Sequence, residues 1–506
     1  MQRVYEPRQM REIDNCLTEE YGIPGIELME RAAQGVAERV LLRLAALENR
    51  KVLIVCGCGN NGGDGLAVLR LLHEDGVDVS AALLAEEETY GGDARINLNR
   101  AKTEGCRFTD ITTGLSEKPG LVVDALFGTG LSRPLSGDAE TSVQAVNACG
   151  AYILSVDIPS GVDGATGEVQ GAAVRADETV TFQNYKPGLL LFPGREYAGN
   201  VCLHPLSEHV PDVETTLYLQ EKEDVAALLP PRPLDSHKGR NGRALLLVGS
   251  EQYTGAALLA SAAALRTGAG LLTAAVPRLV KPAFSCLPEA MCSPVGSTGT
   301  WDRESCAAAK LLLKDRQAIG VGSGMGEIED PSLLAAAMET KTPLVLDADA
   351  LNALSAHREL FGSLHESVIL TPHPGEMARL TGESVRAIQN APMEYAWNAA
   401  RRWHCVVLLK GATSCISDGR RIVLNTSGNP GLAKGGSGDT LTGILTALLA
   451  QGLPPMDAAC AAAYLLGASA DTALKLLETR MLLASDVTNA IQETLGQLFR
   501  DGKREN

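Results

Sequence analysis

Continuous apolar runs, rather than alternating ones, recur along this 506-residue chain. They cover residues 51–56, 77–84, 121–123, 152–156 and 178–182, and then residues 244–248, 271–276, 318–321, 344–346, 368–370 and 406–409. Runs without alternation are typical of parallel strands that are buried on both faces. Because helical patterns separate these runs, the sequence predicts an α/β protein with parallel sheets.

The succession of apolar runs and helical patterns is interrupted once, at an acidic and unpatterned stretch. A proline-rich segment, residues 228–233, follows this stretch. A chain of this length also exceeds one compact domain. We therefore place a boundary at residues 212–225 and predict two α/β domains, residues 1–215 and 225–506. The most apolar stretch, residues 443–470, is interrupted by glycine and prolines, so it predicts two buried helices and no membrane association.

The formal net charge is −16, with 45 basic and 61 acidic residues. This balance argues against a nucleic-acid partner, because no basic surplus exists to neutralise phosphates. Anionic small molecules stay possible ligands, since backbone amides hold them without net positive charge. The 12 cysteines form no C-x-x-C pair, which indicates free thiols in a reducing compartment rather than a zinc site. The charged N-terminus has no secretory core, so we expect a cytoplasmic protein.

A glycine-rich segment, residues 57–65, follows the first apolar run and precedes a helical pattern at residues 66–73. Its glycines satisfy G-x-G-x-x-G between a strand and a helix. Asn60, Asn61 and Asp64 add amide and carboxylate groups, so the segment can bind a ribose, a phosphate and a cation together. A dehydrogenase fingerprint, with Glu86 or Glu87 as its acidic residue, and a purely structural turn are the alternatives.

Three more polar loops, residues 124–130, 157–164 and 182–188, follow apolar strands. Parallel sheets collect their ligands at the carboxyl ends of the strands. Asp124 and Asp157 each come directly after a strand. One such aspartate often only caps a helix or braces a turn, but several around one crevice indicate a binding site.

Residues 60–65, 124–134 and 156–161, together with residues 10–14 and 22–30, resemble NAD(P)H-hydrate epimerases. The resemblance covers residues 1–210 and implies a Rossmann-like three-layer α/β/α sandwich. It also implies interconversion of the R and S forms of hydrated NADH and NADPH, and a potassium ion held by Asn61, Asp124 and Ser160. The implied substrate contacts are Asn60, Asn61, Gly62, Gly63, Asp64, Gly128, Thr129, Gly130, Leu131, Ser132, Arg133, Pro134 and Asp157.

Epimerisation of such a hydrate needs a general acid–base group, because the ring hydroxyl must leave and water must return to the other face. The sequence offers Asp157 and Lys186 as catalytic candidates. Asp157 ranks first because it follows a strand and matches a binding position. Lys186 has two alternative roles, as a phosphate contact or as a solvated surface residue.

A second small-residue segment, residues 429–440, precedes an apolar helical pattern at residues 441–450. Such a segment at a helix N-terminus leaves backbone N–H groups free to hold a phosphoryl group. Asp439 ends the segment, where it could accept a proton from a substrate hydroxyl, and we expect the helix dipole to keep it ionised. Polar loops at residues 371–376 and 410–414 also follow predicted strands.

From about residue 225 the chain resembles the ribokinase-like superfamily and, within it, the ADP-dependent NAD(P)H-hydrate dehydratases. Residues 371–376 and 428–431 separate it from sugar kinases, and residues 239–249, 268–270, 322–326 and 347–351 also match. The resemblance implies phosphate transfer from ADP to the S hydrate, with magnesium. Implied nucleotide contacts are Lys410, Gly411, Ala412, Thr413, Ser414 and Gly438, and implied substrate contacts are Ala257, Gly324, His373 and Asp439.

The two halves suit one repair reaction, since a dehydratase that accepts one epimer needs an epimerase for the other. One rival interpretation is an ATP-dependent vitamin or sugar kinase fused to a nucleotide-binding Rossmann-like module. A second rival makes the first half a scaffold that binds nucleotide without changing the ratio of epimers. The expected partners are hydrated NADH or NADPH and ADP, and we expect a homo-oligomer.

Overall fold

The computed structural model describes residues 1–131, 133–209 and 211–501. They form two compact units. Arg3–Thr215 is called the N-terminal unit below, and the C-terminal unit begins at Thr216 and includes Met1–Gln2. Each unit contains one sheet with parallel strands and surrounding helices, so the predicted two-domain α/β fold class is confirmed.

The first strand of the chain, β1 (Gln2–Arg3), pairs in the C-terminal sheet, and seven parallel strands form the N-terminal sheet. These are β2 (Val52–Cys56), β3 (Val79–Leu83), β4 (Arg107–Thr109), β5 (Leu121–Ala125), β6 (Tyr152–Val156), β7 (Glu178–Phe182) and β8 (Asn200–His204). The helices are α1 (Pro7–Glu19), α2 (Gly25–Leu44), α3 (Asn60–Glu74), α4 (Gly92–Thr103), α5 (Ile111–Ser116), α6 (Asp138–Ala148), α7 (Pro187–Leu190) and α8 (Gly194–Ala198).

The strand order is β4-β3-β2-β5-β6-β7-β8, so the chain changes direction across the sheet between β2 and β5. Successive residues of β2 enter two separate hydrophobic cores: Val52 and Ile54 pack with α1–α4, whereas Leu53 and Val55 pack with α5 and α6. This burial on both faces explains the continuous apolar run. In such a three-layer sheet, ligands bind at the carboxyl ends of the strands where the order reverses.

Glu178, at the start of β7, is fully buried and neutralised by two arginines. Arg39 Nε and Arg43 Nε donate to its carboxylate at 2.7 and 2.6 Å, and Tyr152 adds a hydrogen bond at 2.9 Å. Burial alone raises the pKa of Glu178, but these donors outweigh it and lower the pKa to about 2. The ion cluster therefore ties β7 to α2 and β6.

We expect Glu178→Gln to lower the unfolding free energy of the N-terminal unit by about 1–3 kcal/mol, because two partly exposed guanidinium groups lose the counter-charge that Glu178 supplies from the interior. Urea unfolding at pH 7 measures the loss, and Glu38→Gln on the exposed side of α2 is the matched control. In the parent, this stabilisation is complete above the ordinary carboxyl pKa and is lost as the pH falls through about 2. A loss below 1 kcal/mol would show that the cluster is not structural.

The C-terminal sheet has 11 strands in the order β1-β9-β18-β17-β16-β15-β14-β13-β10-β11-β12. Its strands after β1 are β9 (Leu217–Leu219), β10 (Arg243–Leu247), β11 (Leu271–Pro277), β12 (Met291–Val295), β13 (Ala318–Val321), β14 (Leu344–Leu346), β15 (Val368–Leu370), β16 (Val406–Leu409), β17 (Ser414–Ser417) and β18 (Ile422–Asn425). The adjacent strands β16, β15, β14, β13, β10, β11 and β12 are parallel to one another. Strand β17 is antiparallel to both of its neighbours, β16 and β18.

The helices of this unit begin with α9 (Lys222–Leu228), α10 (Thr254–Thr267), α11 (Arg303–Lys310), α12 (Ser332–Glu339), α13 (Ala348–Ala356) and α14 (Pro374–Thr381). They continue with α15 (Val385–Asn390), α16 (Pro392–Trp403), α17 (Ser437–Ala450), α18 (Pro455–Ala473) and α19 (Ala484–Asp501). The prediction of two buried helices in the most apolar stretch is confirmed by α17 and α18. None of the helices in the described ranges is both long and apolar enough to cross a membrane.

Two helix starts differ from the predicted ones. The helix predicted at residue 66 begins at Asn60, and the helix predicted at residue 441 begins at Ser437. In α3, two of the glycines that indicated a loop, Gly62 and Gly65, are instead needed for close packing. A Cβ on Gly62 would lie 1.7 Å from the carbonyl oxygen of Gly57. The polar residues of both segments therefore lie in the first turn of a helix, beside its free N–H groups.

Candidate functional site

The N-terminal unit contains a cavity of about 840 Å³ at the carboxyl ends of β2, β5, β6 and β7. Among the predicted residues, Asn60, Asn61, Asp64, Gly128, Thr129, Gly130, Leu131, Arg133, Asp157 and Lys186 line it. Gly62, Gly63, Pro134, Asp124 and Ser160 lie outside its lining, and Ser132 falls outside the described residues. The cavity is large enough for a substantial part of a dinucleotide.

Asp157 and Lys186 form an ion pair in this cavity. Lys186 is 2% exposed, and its ammonium donates to Asp157 Oδ1 at 2.5 Å, to Thr181 Oγ1 at 2.9 Å and to the Phe182 carbonyl at 3.0 Å. All three ammonium protons therefore have acceptors in the protein. Asp157 has a φ of +64°, a backbone conformation that costs energy for a non-glycine residue. Lys186 is not a solvated surface residue.

Two further carboxylates, Asp14 and Asp64, share the cavity with Asp157. Burial raises the pKa of Asp64 well above its ordinary value, the charges of Asp157 and Asp14 raise it further, and Lys186 partly opposes them. Burial likewise raises the pKa of Asp14 to about 6, against the effect of Lys186. The site thus collects three carboxylates around one ammonium, and burial favours the neutral form of two of them, Asp14 and Asp64.

The three residues proposed for a cation lie in different elements but meet at one place. Asp124 was predicted to follow a strand, but it lies within β5. Its side chain is fully buried there. Its carboxylate accepts from Ser160 Oγ at 2.6 Å, Ser160 N at 2.9 Å and Ser155 Oγ at 2.8 Å. Asn61 packs on Gly128, and its Nδ2 is buried without a hydrogen-bond partner among the described residues.

This donor set fits a monovalent cation. Burial raises the pKa of Asp124, and the hydrogen bonds from Ser160 offset part of that effect. One carboxylate, one hydroxyl and one amide supply hard oxygens and a single negative charge. The Phe127 carbonyl lies 3.2 Å from Ser160 Oγ and is a fourth oxygen at the same place.

In the C-terminal unit, Asp347 and Lys410 form the centre of a polar network. Asp347 is 2% exposed and directly follows β14. Its carboxylate accepts from Lys410 Nζ and Thr371 Oγ1 at 2.8 Å each, and from Thr442 Oγ1 at 3.0 Å. Burial lowers the pKa of Lys410, but the charges of Asp347 and Glu376 outweigh it and raise the pKa. Lys410 therefore stays an ammonium.

This ammonium lies beside the start of α17. A Cβ on Gly438 would lie 3.6 Å from Lys410 Nζ and 3.5 Å from Asp347 Oδ2. The free N–H groups of the first turn and a fixed positive charge thus face the same space. That combination suits a phosphoryl group.

Asp439 lies in the first turn of α17, next to this space. Burial raises its pKa to about 6, and the charge of Asp347 acts in the same direction. We expected the helix dipole to keep this carboxylate ionised; burial and Asp347 instead favour its neutral form and raise its pKa. A carboxylate with a pKa of about 6 is still mostly ionised at pH 7 and is a stronger base than an exposed one.

His373 caps α14 through its ring. Its Nδ1 accepts from Gly375 N at 3.0 Å and from Glu376 N at 3.4 Å, so in the neutral ring the proton is on Nε2. Burial lowers the pKa of His373, with Glu376 opposing. Half of its side chain, 51%, remains exposed toward solvent. Its Nε2 lies 3.4 Å from Glu376 Oε1, so the ring is held in a fixed orientation and its exposed half can contact a ligand.

The other predicted positions differ in their access. Gly324 has a φ of +64°, and its carbonyl accepts from Ser250 Oγ at 2.9 Å. Gly411, Ala412 and Thr413 form the turn from Lys410 to Ser414, where β17 begins. Ala257 is fully buried and packs behind Gly249, so its side chain does not reach the site surface.

Sequence reasoning missed four residues of these sites: Asp14, Asp347, Glu376 and Ser323. Asp347 carried the signal used for Asp157, an acidic residue directly after an apolar strand. Ser323 follows β13, and its hydroxyl is buried without a hydrogen-bond partner among the described residues. Asp14 gave no such signal, because it lies on a helix and reaches the cavity only through tertiary packing.

Two family sequence models match the chain. One, described as NAD(P)H-hydrate dehydratase, matches residues 244–493. The other, described as YjeF-related protein N-terminus, matches residues 25–188. The matched ranges contain the C-terminal network and most of the N-terminal cavity, respectively.

Relatives with the same arrangement match over nearly the full length. The bifunctional NAD(P)H-hydrate repair enzyme Nnr of Moorella thermoacetica is 37% identical and covers 97% of this chain and 96% of its own. The enzyme of that name from Escherichia coli is 34% identical, covering 95% and 91%. A solved ADP/ATP-dependent NAD(P)H-hydrate dehydratase from Bacillus subtilis is 31% identical, with a TM-score of 0.48, and covers 56% of this chain and 100% of its own.

Proposed function

The chain belongs to the bifunctional NAD(P)H-hydrate repair enzymes, and we propose that it restores hydrated NADH and NADPH by two reactions. Residues 1–215 interconvert the R and S hydrates. Residues 225–506 dehydrate the S form with ADP, giving AMP and phosphate. One observation carries the proposal: each unit has an ionisable carboxylate beside a glycine-rich helix start, at the carboxyl edge of its parallel sheet.

In the epimerase domain, Asp157 exchanges a proton with the oxygen that is bound to the hydroxyl-bearing ring carbon. The ring nitrogen expels the hydroxyl, which leaves as water after protonation, and water returns to the other face and loses a proton. Lys186 positions Asp157, since its ammonium donates to Asp157 and its other protons are bound within the protein. The first turn of α3, with Asn60 and Asn61, faces the phosphates of the dinucleotide.

In the dehydratase domain, Asp439 accepts the proton of the substrate hydroxyl as its oxygen attacks the terminal phosphorus of ADP. AMP leaves, and the new phosphate ester is then expelled by the ring nitrogen with loss of a proton from the adjacent carbon. Lys410 and the N–H groups around Gly438 stabilise the charge on the transferred group. His373 contacts the substrate through its exposed half, and Gly324 gives the substrate close access to the backbone.

The epimerase domain holds potassium through oxygens of Asn61, Asp124 and Ser160. When bound, the ion would supply positive charge beside the start of α3. The single buried carboxylate and the hydroxyl that bonds to it, with Asn61 beside Gly128 in the loop after β5, support this assignment.

We expect Asp124→Asn to lower epimerisation at least about tenfold and to remove its dependence on potassium, because the site loses its only charged ligand. It should also destabilise the N-terminal unit by about 1–3 kcal/mol, since Ser155 and Ser160 lose acceptors in a buried place. Epimer ratios measured in potassium and in sodium buffers give the first result. ADP-dependent dehydration of pure S hydrate is the internal control and should not change. Unaltered epimerisation in the variant and in sodium buffer would disprove the assignment.

Magnesium acts in the dehydratase domain as a counter-ion of the nucleotide. In the ranges that the structure describes, no three acidic, histidine or cysteine side chains form a metal cluster. Magnesium commonly keeps several waters and binds through substrate phosphates with one or two carboxylates. Glu376, whose carboxylate lies 3.6 Å from Lys410 Nζ beside the phosphoryl space, is a carboxylate available for this.

A mixture of R and S hydrates supplied with ADP tests the proposal. The account predicts complete recovery of dihydronicotinamide absorbance, with AMP and phosphate formed in equal amounts. The rival, a vitamin or sugar kinase fused to a nucleotide-binding module, predicts a stable phosphorylated alcohol made from ATP and no effect on the hydrates. The scaffold rival predicts recovery that stops at the S fraction.

The twelve unpaired thiols support a reducing, cytoplasmic location. A homo-oligomer stays a prediction, which light scattering of the purified chain would test.

A further inference from the structure

The N-terminal cavity holds more acid–base groups than a single proton transfer needs. In the described part of the chain, no side chain or backbone N–H donates to the carboxylate of Asp14 or Asp64, whereas Asp157 is tied to Lys186. The nearby Nδ2 of Asn61, a residue only 8% exposed, is also unpartnered. Buried polar groups without protein partners are rare, and here Asn61 Nδ2 shares one cavity with two partly exposed carboxylates that also accept no hydrogen bond from the described residues.

Asp14 reaches this cavity from helix α1. Met10, Ile13 and Leu17 bury the apolar face of α1, and Asp14 lies beside that face at its border. Asp157 comes from a different element, the turn after β6. Two carboxyl groups thus enter one cavity from a helix and from the sheet edge. The positive charge of Lys186 lowers the pKa of Asp14, and Lys186 binds Asp157 directly.

We propose that Asp14 is a second proton-transferring residue of the epimerase and serves the ring face opposite to the one that Asp157 serves. The inference rests on the proposed function, because it assumes a hydrated nicotinamide in this cavity. It explains why two carboxylates of different environment meet there. Epimerisation itself requires chemistry on both faces of a flat ring.

The reaction balances with these two residues. In one direction, the Asp14 carboxyl gives its proton to the hydroxyl, the carbon–oxygen bond breaks and water leaves, and the ring nitrogen carries the positive charge. Water then attacks the opposite face, and the Asp157 carboxylate takes the proton that this water loses. The reverse direction exchanges the two roles. No oxidant, reductant or further reactant is consumed.

Asp14 suits this role better than the other charged groups around the cavity, which are Arg11, Asp64, Asp93, Arg133, Asp157 and Lys186. The arginines keep their protons. Burial and the charges of Asp157 and Asp14 raise the pKa of Asp64 well above its ordinary value, which disfavours the ionised form that accepts a proton. Asp93 packs on Gly25 at the start of α2. Asp14, with a pKa of about 6, is present in both forms and can pass a proton each way.

The test is Asp14→Asn in the full chain, with Glu12→Gln on the exposed face of α1 as the matched control. Pure R and pure S hydrates are incubated separately in ¹⁸O-water, and both the epimer ratio and the ¹⁸O content of the ring hydroxyl are followed. We expect Asp14→Asn to reduce epimerisation about 10²–10⁴-fold, the usual contribution of a general acid–base group. One epimer, the one whose hydroxyl faces Asp157, should still exchange its oxygen with retained configuration.

Each outcome decides the inference. Epimerisation within threefold of the parent overturns it, and so does equal loss of oxygen exchange for both epimers, which would make Asp14 structural. Loss of epimerisation with exchange retained for one epimer supports it. The parent chain distinguishes this from failure of the proposed function: if the parent and Glu12→Gln do not epimerise at all, the function is wrong. ADP-dependent dehydration of S hydrate reports that the variant chain is intact.

Discussion

Asp439→Asn should reduce ADP-dependent dehydration of S hydrate by about 10²–10⁴-fold, because it removes the general base and keeps the shape of the side chain. ADP affinity should change little, since Lys410 and the N–H groups of α17 remain. Epimerisation belongs to the N-terminal unit and should be untouched. Single-turnover dehydration with excess enzyme measures the chemical step separately from product release.

The pH dependence provides a second measure of the same residue. Dehydration by the parent should rise with pH through about 6 and then level off, because Asp439 acts only when ionised. The dehydration rate of the Asp439→Asn variant should not rise with pH in this range. Since the folded state raises the pKa of Asp439, its ionisation costs stability above that pH, and Asp439→Asn should not lower the melting temperature. Glu339→Gln, on the exposed end of α12, is the control. Dehydration near the parent rate in the variant would exclude Asp439 as the base.

Asp157→Asn should lower epimerisation by about 10²–10⁴-fold and leave dehydration of pure S hydrate unchanged. The change removes the carboxylate that acts on the ring and leaves the buried Lys186 ammonium with a neutral partner. That ammonium costs stability without its counter-charge. We therefore compare Asp157→Asn with the double variant that adds Lys186→Met, and follow urea unfolding of both.

The two variants separate chemistry from stability. The double variant should regain unfolding free energy but not epimerisation, because the carboxylate is still absent. Glu168→Gln, an exposed carboxylate of the segment after β6, should behave as the parent. Recovery of epimerisation in the double variant would contradict a proton-transfer role for Asp157 and would make the pair purely structural.

The sequence predicted the strands well because these strands lie in the interior of parallel sheets. The predicted runs 152–156, 178–182, 318–321 and 406–409 coincide with β6, β7, β13 and β16. Burial on both faces requires apolar residues at every position, so each strand can be predicted from its own residues without knowledge of its neighbours. The same rule located the Asp157 and Lys410 loops, since polar residues directly after such a run must lie at the sheet edge.

The sequence could not show which side chains meet once the sheet is built. Asp14 has the local pattern of an ordinary helical carboxylate, and only the packing of α1 brings it toward Lys186. Asp124 was expected in a loop because charged residues rarely lie inside strands, yet Ser155 and Ser160 satisfy it there. The glycines of α3 indicated a loop, although close packing inside the helix requires Gly62 and Gly65.

The central claim is that one chain carries two independent activities, one in each unit. A mixture of Asp157→Asn and Asp439→Asn chains tests it most directly, with equal amounts of R and S hydrate, ADP and magnesium. Asp157→Asn alone should convert only the S fraction above the enzyme-free background, and Asp439→Asn alone should convert none. Together they should restore the dihydronicotinamide absorbance completely, because R hydrate epimerised by one chain is dehydrated by the other. If recovery by the mixture stops at the S fraction, the account is contradicted.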